Sequence, residues 1–165
     1  MKTLKKRRKS NQTDYLKRMK LLKSGVPRLI FRKTNRYIVA QYVTSKEAKD
    51  EVKLGLNSKA LLGYGWPKEK ESSLKSTTAA YLTGLLIGKT IIDKKLEVPV
   101  VDSGMIRNIR KNKLFGFIKG LKDSGLDIQC DEEFFPSEDR IQGKHLKEDF
   151  SKTFEDVKSK IGGKK

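Results

Sequence analysis

Sulfur and imidazole chemistry have almost nothing to build on in this sequence. Cys130 is the only cysteine and His145 the only histidine. An intrachain disulfide is therefore excluded, and a metal site would need other ligands. Nucleophilic catalysis needs an activated group beside a base, and neither residue has an evident partner constellation. Long apolar runs are missing too. The longest, Ala79 to Ile92, is broken by Thr83, Lys89 and Thr90 and is too short to cross a bilayer. The N-terminus has no signal-peptide core, because Met1-Lys-Thr-Leu4 runs straight into Lys5-Lys-Arg-Arg-Lys9. The expectation is a soluble, cytoplasmic protein without metal or other cofactor.

Negative charge is the other shortage. Twenty Asp and Glu stand against 38 Lys and Arg, a formal net charge of +18 in 165 residues. Such a surplus costs self-repulsion in a compact chain and persists where a polyanionic partner offsets it. Residues 1–36 hold fourteen Lys/Arg against Asp14 alone, so +13 of the +18 lies in about the first fifth of the chain. The pattern is a basic arm on a more balanced body. Residues 1–12 lack periodicity and are expected to be disordered until bound.

Beyond the arm, Thr13 or Asp14 can cap a helix that closes at Ser24-Gly25, with Tyr15, Met19 and Leu22 on one face. Pro27 restarts extended chain. Leu29-Ile-Phe31 and Tyr37-Ile-Val-Ala40 are apolar at consecutive positions, the mark of strands covered on both faces. They join at Arg32-Lys33-Thr34-Asn35-Arg36, a turn with three cations and no anion. A third strand is expected at Glu51–Leu56, a fourth at Leu96–Asp102 and a short last one at Leu126–Ile128. Helical periodicity runs over Ser73–Ile91 and Lys111–Asp123. Leu146, Phe150, Phe154, Val157 and Ile161 mark an amphipathic C-terminal helix that packs on its own domain. The fold class is α/β: a single domain with a mixed sheet covered by helices on both faces. A basic arm with a short helix spans residues 1–25, the core 26–130, and a C-terminal extension 131–165.

Several motifs invite a catalytic reading and do not sustain it. Gly84-Leu-Leu-Ile-Gly88-Lys89-Thr90 imitates a phosphate-binding loop, but three residues separate its glycines where four are needed, and it lies late in a helix. Asp102, Asp127 and Asp131-Glu132-Glu133 offer carboxylates for a metal-dependent nuclease, yet the first three strands add only Glu47, Asp50 and Glu51. Asp102 suits a strand end, bonding nearby backbone N–H groups. Gly116-Phe-Ile-Lys-Gly120 reads as close packing on the sheet. Polyanion binding is what remains. Tyr15, Tyr37, Tyr42, Tyr64 and Trp66 supply faces on which unpaired bases can stack, with Tyr64 and Trp66 expected to be the exposed ones. Composition alone does not separate RNA from DNA.

The linear pattern goes further. Arg7-Arg8, Thr13-Asp14-Tyr15-x-x-Arg18, Leu21-Leu22-Lys23-Ser24-Gly25-x-Pro27-Arg28 and Arg32-Lys33-Thr34-Asn35 follow one another in order. Tyr64-Gly65-Trp66, Ala79-Ala80-Tyr81-Leu82-Thr83-Gly84-Leu85, Asp102-x-Gly104, Gly125-Leu126-Asp127-Ile128 and Phe135-Pro136-Ser137-Glu138-Asp139-Arg140-Ile141-x-Gly143 complete the series. Together they resemble the archaeal-type large-subunit ribosomal protein L-eighteen family, counterpart of the eukaryotic L-five. Gln129-Cys130 departs from the Pro-His expected there.

The resemblance implies a ribonuclease-H-like topology without ribonuclease chemistry. It also implies 5S rRNA binding, attachment of that RNA to the large rRNA in the central protuberance, and a place in the large subunit of cytoplasmic ribosomes. Neighbouring large-subunit proteins, including the other 5S-binding protein, are the implied protein partners; membrane and DNA are not. The expected RNA contacts begin with Lys5, Lys6, Arg7, Arg8, Lys9, Asn11, Tyr15 and Arg18, which Lys17 and Lys20 extend along the first helix. Arg28, Arg32, Lys33, Asn35 and Arg36 approach from the sheet, and Trp66 and Lys68 form a second surface. An RNA-processing nuclease and a basic DNA- or membrane-binding protein are the rival readings.

Overall fold

The computed structural model describes residues 3–47, 49–146 and 150–163. Four strands, β1 (Arg28–Lys33), β2 (Ile38–Lys46), β3 (Lys49–Asn57) and β4 (Val100–Asp102), form one sheet in the order β3-β2-β1-β4. The first three are antiparallel, with Leu29 opposite Tyr42 and Phe31 opposite Ala40. β4 runs parallel to β1, placing Asp102 beside Ile30. The β1–β2 turn closes on Thr34, whose Oγ1 donates to the Tyr37 carbonyl at 2.8 Å and accepts from its N–H at 2.9 Å.

Alternation sorts the strand residues onto two faces. Leu29, Phe31, Ile38, Ala40 and Tyr42 turn inward and are almost wholly buried. Against them pack α3 (Thr77–Asp93), through Ala80, Ile87 and Ile91, and α4 (Lys113–Asp123), through Leu114, Phe117, Ile118 and Leu121. Each such large side chain contributes roughly 1.5–3 kcal/mol of transfer free energy. The opposite face carries Arg28, Ile30 and Arg32 and is approached by α2 (Tyr15–Lys23), which ties Lys17 to Ser103 and Arg18 to Asp50. Long helices thus cover one face and a short basic one the other.

α3 is buried on nearly every side, not along a single stripe. Its far side meets α6 (Ser151–Gly163), where Phe154, Val157 and Ile161 join Trp66, Leu82 and Leu85 in a second core. The C-terminal helix therefore packs on its own domain, as its periodicity predicts. Leu146 does not belong to it; that residue precedes the helix and is exposed. Between these elements lie 3-10 turns at Ser58–Tyr64, Lys68–Ser73 and Glu132–Phe134, and the short α5 (Glu138–Gln142).

Glycines on α3 and α4 mark where the two helices approach each other most closely. A Cβ at Gly84 would run into the Phe117 carbonyl, one at Gly88 into the Ser124 hydroxyl, and one at Gly120 into the Tyr81 carbonyl. Gly84 of α3 and Gly120 of α4 thus let two helix backbones touch, and Gly88 makes room for the Ser124 side chain. Close packing is correct, but the surface is the partner helix and not the sheet. Gly120→Ala is expected to force α3 and α4 apart and lower stability by about 1–3 kcal/mol in urea denaturation. An unchanged midpoint would contradict the contact.

Three further expectations change. Residues Lys6–Lys9 form a helical turn, α1, instead of disordered chain. β4 is three residues long because its parallel partner begins only at Arg28, after Pro27; pairing starts when the Val100 N–H reaches the Pro27 carbonyl at 2.9 Å. Leu126–Ile128 forms no strand: the Ile128 N–H folds back onto the Leu126 carbonyl while Leu126 fills the core.

Candidate nucleic-acid interface

Asp14, the lone acid of the first 36 residues, organises the arm. Its Oδ1 accepts the N–H groups of Leu16 and Lys17 at 3.1 and 3.3 Å, capping α2, and its Oδ2 meets Arg8 at 3.5 Å. Arg7 donates to Thr13 Oγ1 at 3.1 Å, and the Lys5 ammonium sits 4.5 Å from the Tyr15 ring centre. Asn11 takes a left-handed backbone, φ 54°, which reverses the chain between α1 and α2. Lys6 and Lys9 point to solvent, and no ion pair involves them among the described residues.

Where this arm meets the sheet, Arg7, Lys17, Arg18 and Arg32 converge on one polar cavity of about 130 Å³, with Gln12, Thr13, Asp14, Asp102 and Gly104 completing its wall. Lys17 Nζ donates to Ser103 Oγ at 2.7 Å and Arg32 to the Asp102 carbonyl at 3.0 Å. Residues up to 97 positions apart, Arg7 and Gly104, are thereby gathered into one cationic site. Lys33, Asn35 and Arg36 continue outward from Arg32 on the exposed β1–β2 turn.

Two expected contacts are corrected. Arg28 is only 2% exposed. Its guanidinium joins Asp50 at 2.7 Å, Asp102 at 3.4 Å and Ser45 Oγ at 3.0 Å, so it is a structural clamp behind the cationic face. Trp66 is likewise buried, its ring centre 4.8 Å from that of Phe150 and its Nε1 donating to the Lys70 carbonyl at 3.1 Å. It has no free face for a base. Lys68, nearby, remains exposed.

Two carboxylates beside the cationic face, Asp102 and Asp50, are already engaged. Asp102 accepts the Gly104 N–H at 2.8 Å, the backbone role expected of a strand end, and its other oxygen faces Arg28 and Arg32. Asp50 binds Arg18 and Arg28. Partial burial pushes the Asp50 carboxyl up, but hydrogen bonds from Ser45 and Arg18 and the charges of Arg28 and Arg18 outweigh it and hold it below the usual carboxylate range. A lowered folded pKa stabilises above the ordinary value of about 4 and loses that contribution as pH falls through the folded value. The stability advantage over Asp50→Asn should therefore be complete at neutral pH and shrink only below about pH 4. Urea denaturation at stepped pH measures this, and a gap that closes near pH 6 would assign it to another group. Among the described residues no group of three or more His, Cys, Asp or Glu is placed to hold a metal ion.

Sequence reasoning missed a second cationic cluster, formed by Lys33, Lys75, Lys111, Lys113 and Arg140. Half-burial, followed by the like charges of Lys33 and Lys75, lowers the pKa of the Lys113 ammonium. The only early signal is the basic run Arg107–Lys113, whose partners lie 27 or more residues away.

Fold and surface define a class: a small α/β protein whose carboxylates clamp arginines and whose outstanding surface is cationic. The sequence profile of the family described as "Ribosomal large subunit proteins 60S L5, and 50S L18" matches residues 1–99. The proteins named "Large ribosomal subunit protein uL18" from Korarchaeum cryptofilum and Methanoculleus marisnigri are each 39% identical, over 140 and 142 residues. These alignments cover 85% and 86% of this chain and 70% and 79% of the relatives. The protein of the same name from Caldivirga maquilingensis is 40% identical over 141 residues, 85% of this chain and 66% of its own. This chain belongs to that family of large-subunit ribosomal proteins. Its role is structural and non-enzymatic.

Proposed function

We propose that the chain binds 5S rRNA and helps attach it to the large rRNA in the central protuberance, beside the other 5S-binding protein. The observation that carries this is the convergence of Arg7, Lys17, Arg18 and Arg32 on one cavity at the junction of arm and sheet. A-form RNA presents phosphates and 2′-hydroxyls across a shallow groove, and Arg beside Thr, Gln and Asn suits those groups. Lys5, Lys6 and Lys9 on one side and Lys33, Asn35 and Arg36 on the other extend the contact. Arg7, Arg8, Asn11, Tyr15 and Arg18 act partly by holding the arm against the sheet. Lys68 touches rRNA at the rim.

Binding of the full chain to purified 5S rRNA should weaken with salt, each phosphate contact adding about −0.7 to −0.9 to the slope of log K against log salt. Duplex DNA should compete poorly at matched salt. A slope near zero, or duplex DNA competing as well as 5S rRNA, would sink the proposal.

A further inference from the structure

The second cationic cluster surrounds a pocket of about 380 Å³ that lies between β1 and the starts of α3 and α4. Its floor is apolar. Phe31 and Leu114 are 1% and 3% exposed, and Ile106 is half-buried beside them. Its rim is cationic, carrying Lys33, Lys111, Lys113 and Arg140. Thr77 opens α3 and Asn112 caps α4 at the same wall, so both helices turn their positive ends towards it. Among the described residues no carboxylate lines the pocket and none of the four rim cations has an ion pair. Lys113 is half-buried among like charges, an arrangement that costs stability unless an anion offsets it.

A bare phosphate would use the rim and leave the floor wet. An apolar peptide would use the floor and strand the cations. A nucleotide uses both, and the volume falls within the range of small-ligand sites, roughly 300–1,000 Å³. Lys33 belongs to the pocket and also to the exposed β1–β2 turn, so a strand held on that turn passes over the rim. We propose that this pocket takes one unstacked RNA nucleotide, its base on the apolar wall at Ile106, beneath which Phe31 and Leu114 lie buried, and its flanking phosphates on the rim cations. The proposal rests on the reading of the chain as an rRNA-binding protein and adds a site that the arm does not supply.

The test uses the full chain with AMP, inorganic phosphate and 5S rRNA. AMP at millimolar concentration should shift the backbone amide resonances of Phe31, Ile106 and Leu114. Phosphate at equal ionic strength should leave those three in place. Lys111→Gln with Lys113→Gln, folded by circular dichroism, should lose the AMP shifts and bind 5S rRNA about 10-fold more weakly at ~0.15 M salt. Phosphate moving the floor residues as AMP does would make this a plain anion patch and overturn the proposal. So would AMP moving none of them, or a double variant that binds 5S rRNA like the wild type. Wild-type chain that binds AMP here and not 5S rRNA would sink the rRNA reading and leave the nucleotide pocket standing.

Discussion

Arg28→Ala is expected to lower unfolding stability by about 3–5 kcal/mol, because it strips a buried charge from a paired network. The guanidinium lies between two carboxylates that come from opposite sides of the sheet, Asp50 at the start of β3 and Asp102 at the end of β4. Without it, Asp102 keeps the Gly104 N–H but only one distant cation, Arg32 at 3.6 Å, and its side chain is only 8% exposed. A loss of this size consumes much of the 5–15 kcal/mol by which domains are stable. Arg28→Lys should recover only part of it, since a point charge cannot span both carboxylates as a planar fork does. Removing all three charges as Arg28→Met with Asp50→Asn and Asp102→Asn should recover more, because no unpaired charge remains buried. Urea denaturation orders the four proteins. If Arg28→Ala instead folded normally and lost rRNA affinity, Arg28 would be an interface residue, and the clamp described above would be wrong.

That reversal for Arg28 marks where the sequence stops being legible. Neighbours in the chain say that residues 28–33 form a strand, and alternation puts Arg28 and Arg32 on one face. Nothing local says that Asp50 and Asp102, 22 and 74 positions away, close over the first and leave the second open. Trp66 failed for the same reason. Its flanking glycines and Pro67 signal an exposed loop, and only the arrival of Phe150, 84 residues later, buries it. Helices fared better because their signal is periodic and local: Asn112 caps α4, and Gly125 follows its end at φ 101°. β4 is shorter than its apolar segment because strand length depends on a partner's extent, which no single segment encodes. Glycine spacing signals a close approach but not its target, since a small residue shows that something comes near without naming it. The arm's cationic character is plain in the sequence, whereas its order depends on Asp14, used both as cap and as ion-pair partner, and on the distant Asp50 and Ser103 that hold α2.

The cations that make no described ion pair should carry RNA affinity without carrying the fold. Lys6→Gln, Lys9→Gln and Arg36→Gln together remove three of the +18 charges from exposed positions. At ~0.15 M salt each phosphate contact at a slope near −0.8 is worth about 0.7 of a decade, so 5S rRNA binding should fall about 100-fold. The salt slope should flatten by about 2–3 over the same titration. Thermal stability should stay within about 0.5 kcal/mol, because exposed side chains away from any cap or ion pair rarely contribute more. The pair of readouts separates causes. Weaker binding with an unchanged slope would mean that the substitutions disturb the arm's shape and neutralise no phosphate. An unchanged affinity would move the interface inward, to the cavity where Arg7, Lys17, Arg18 and Arg32 already meet. In that case the arm's exposed lysines neither touch a phosphate nor steer the encounter, because slower association at a constant dissociation rate would itself have weakened the affinity.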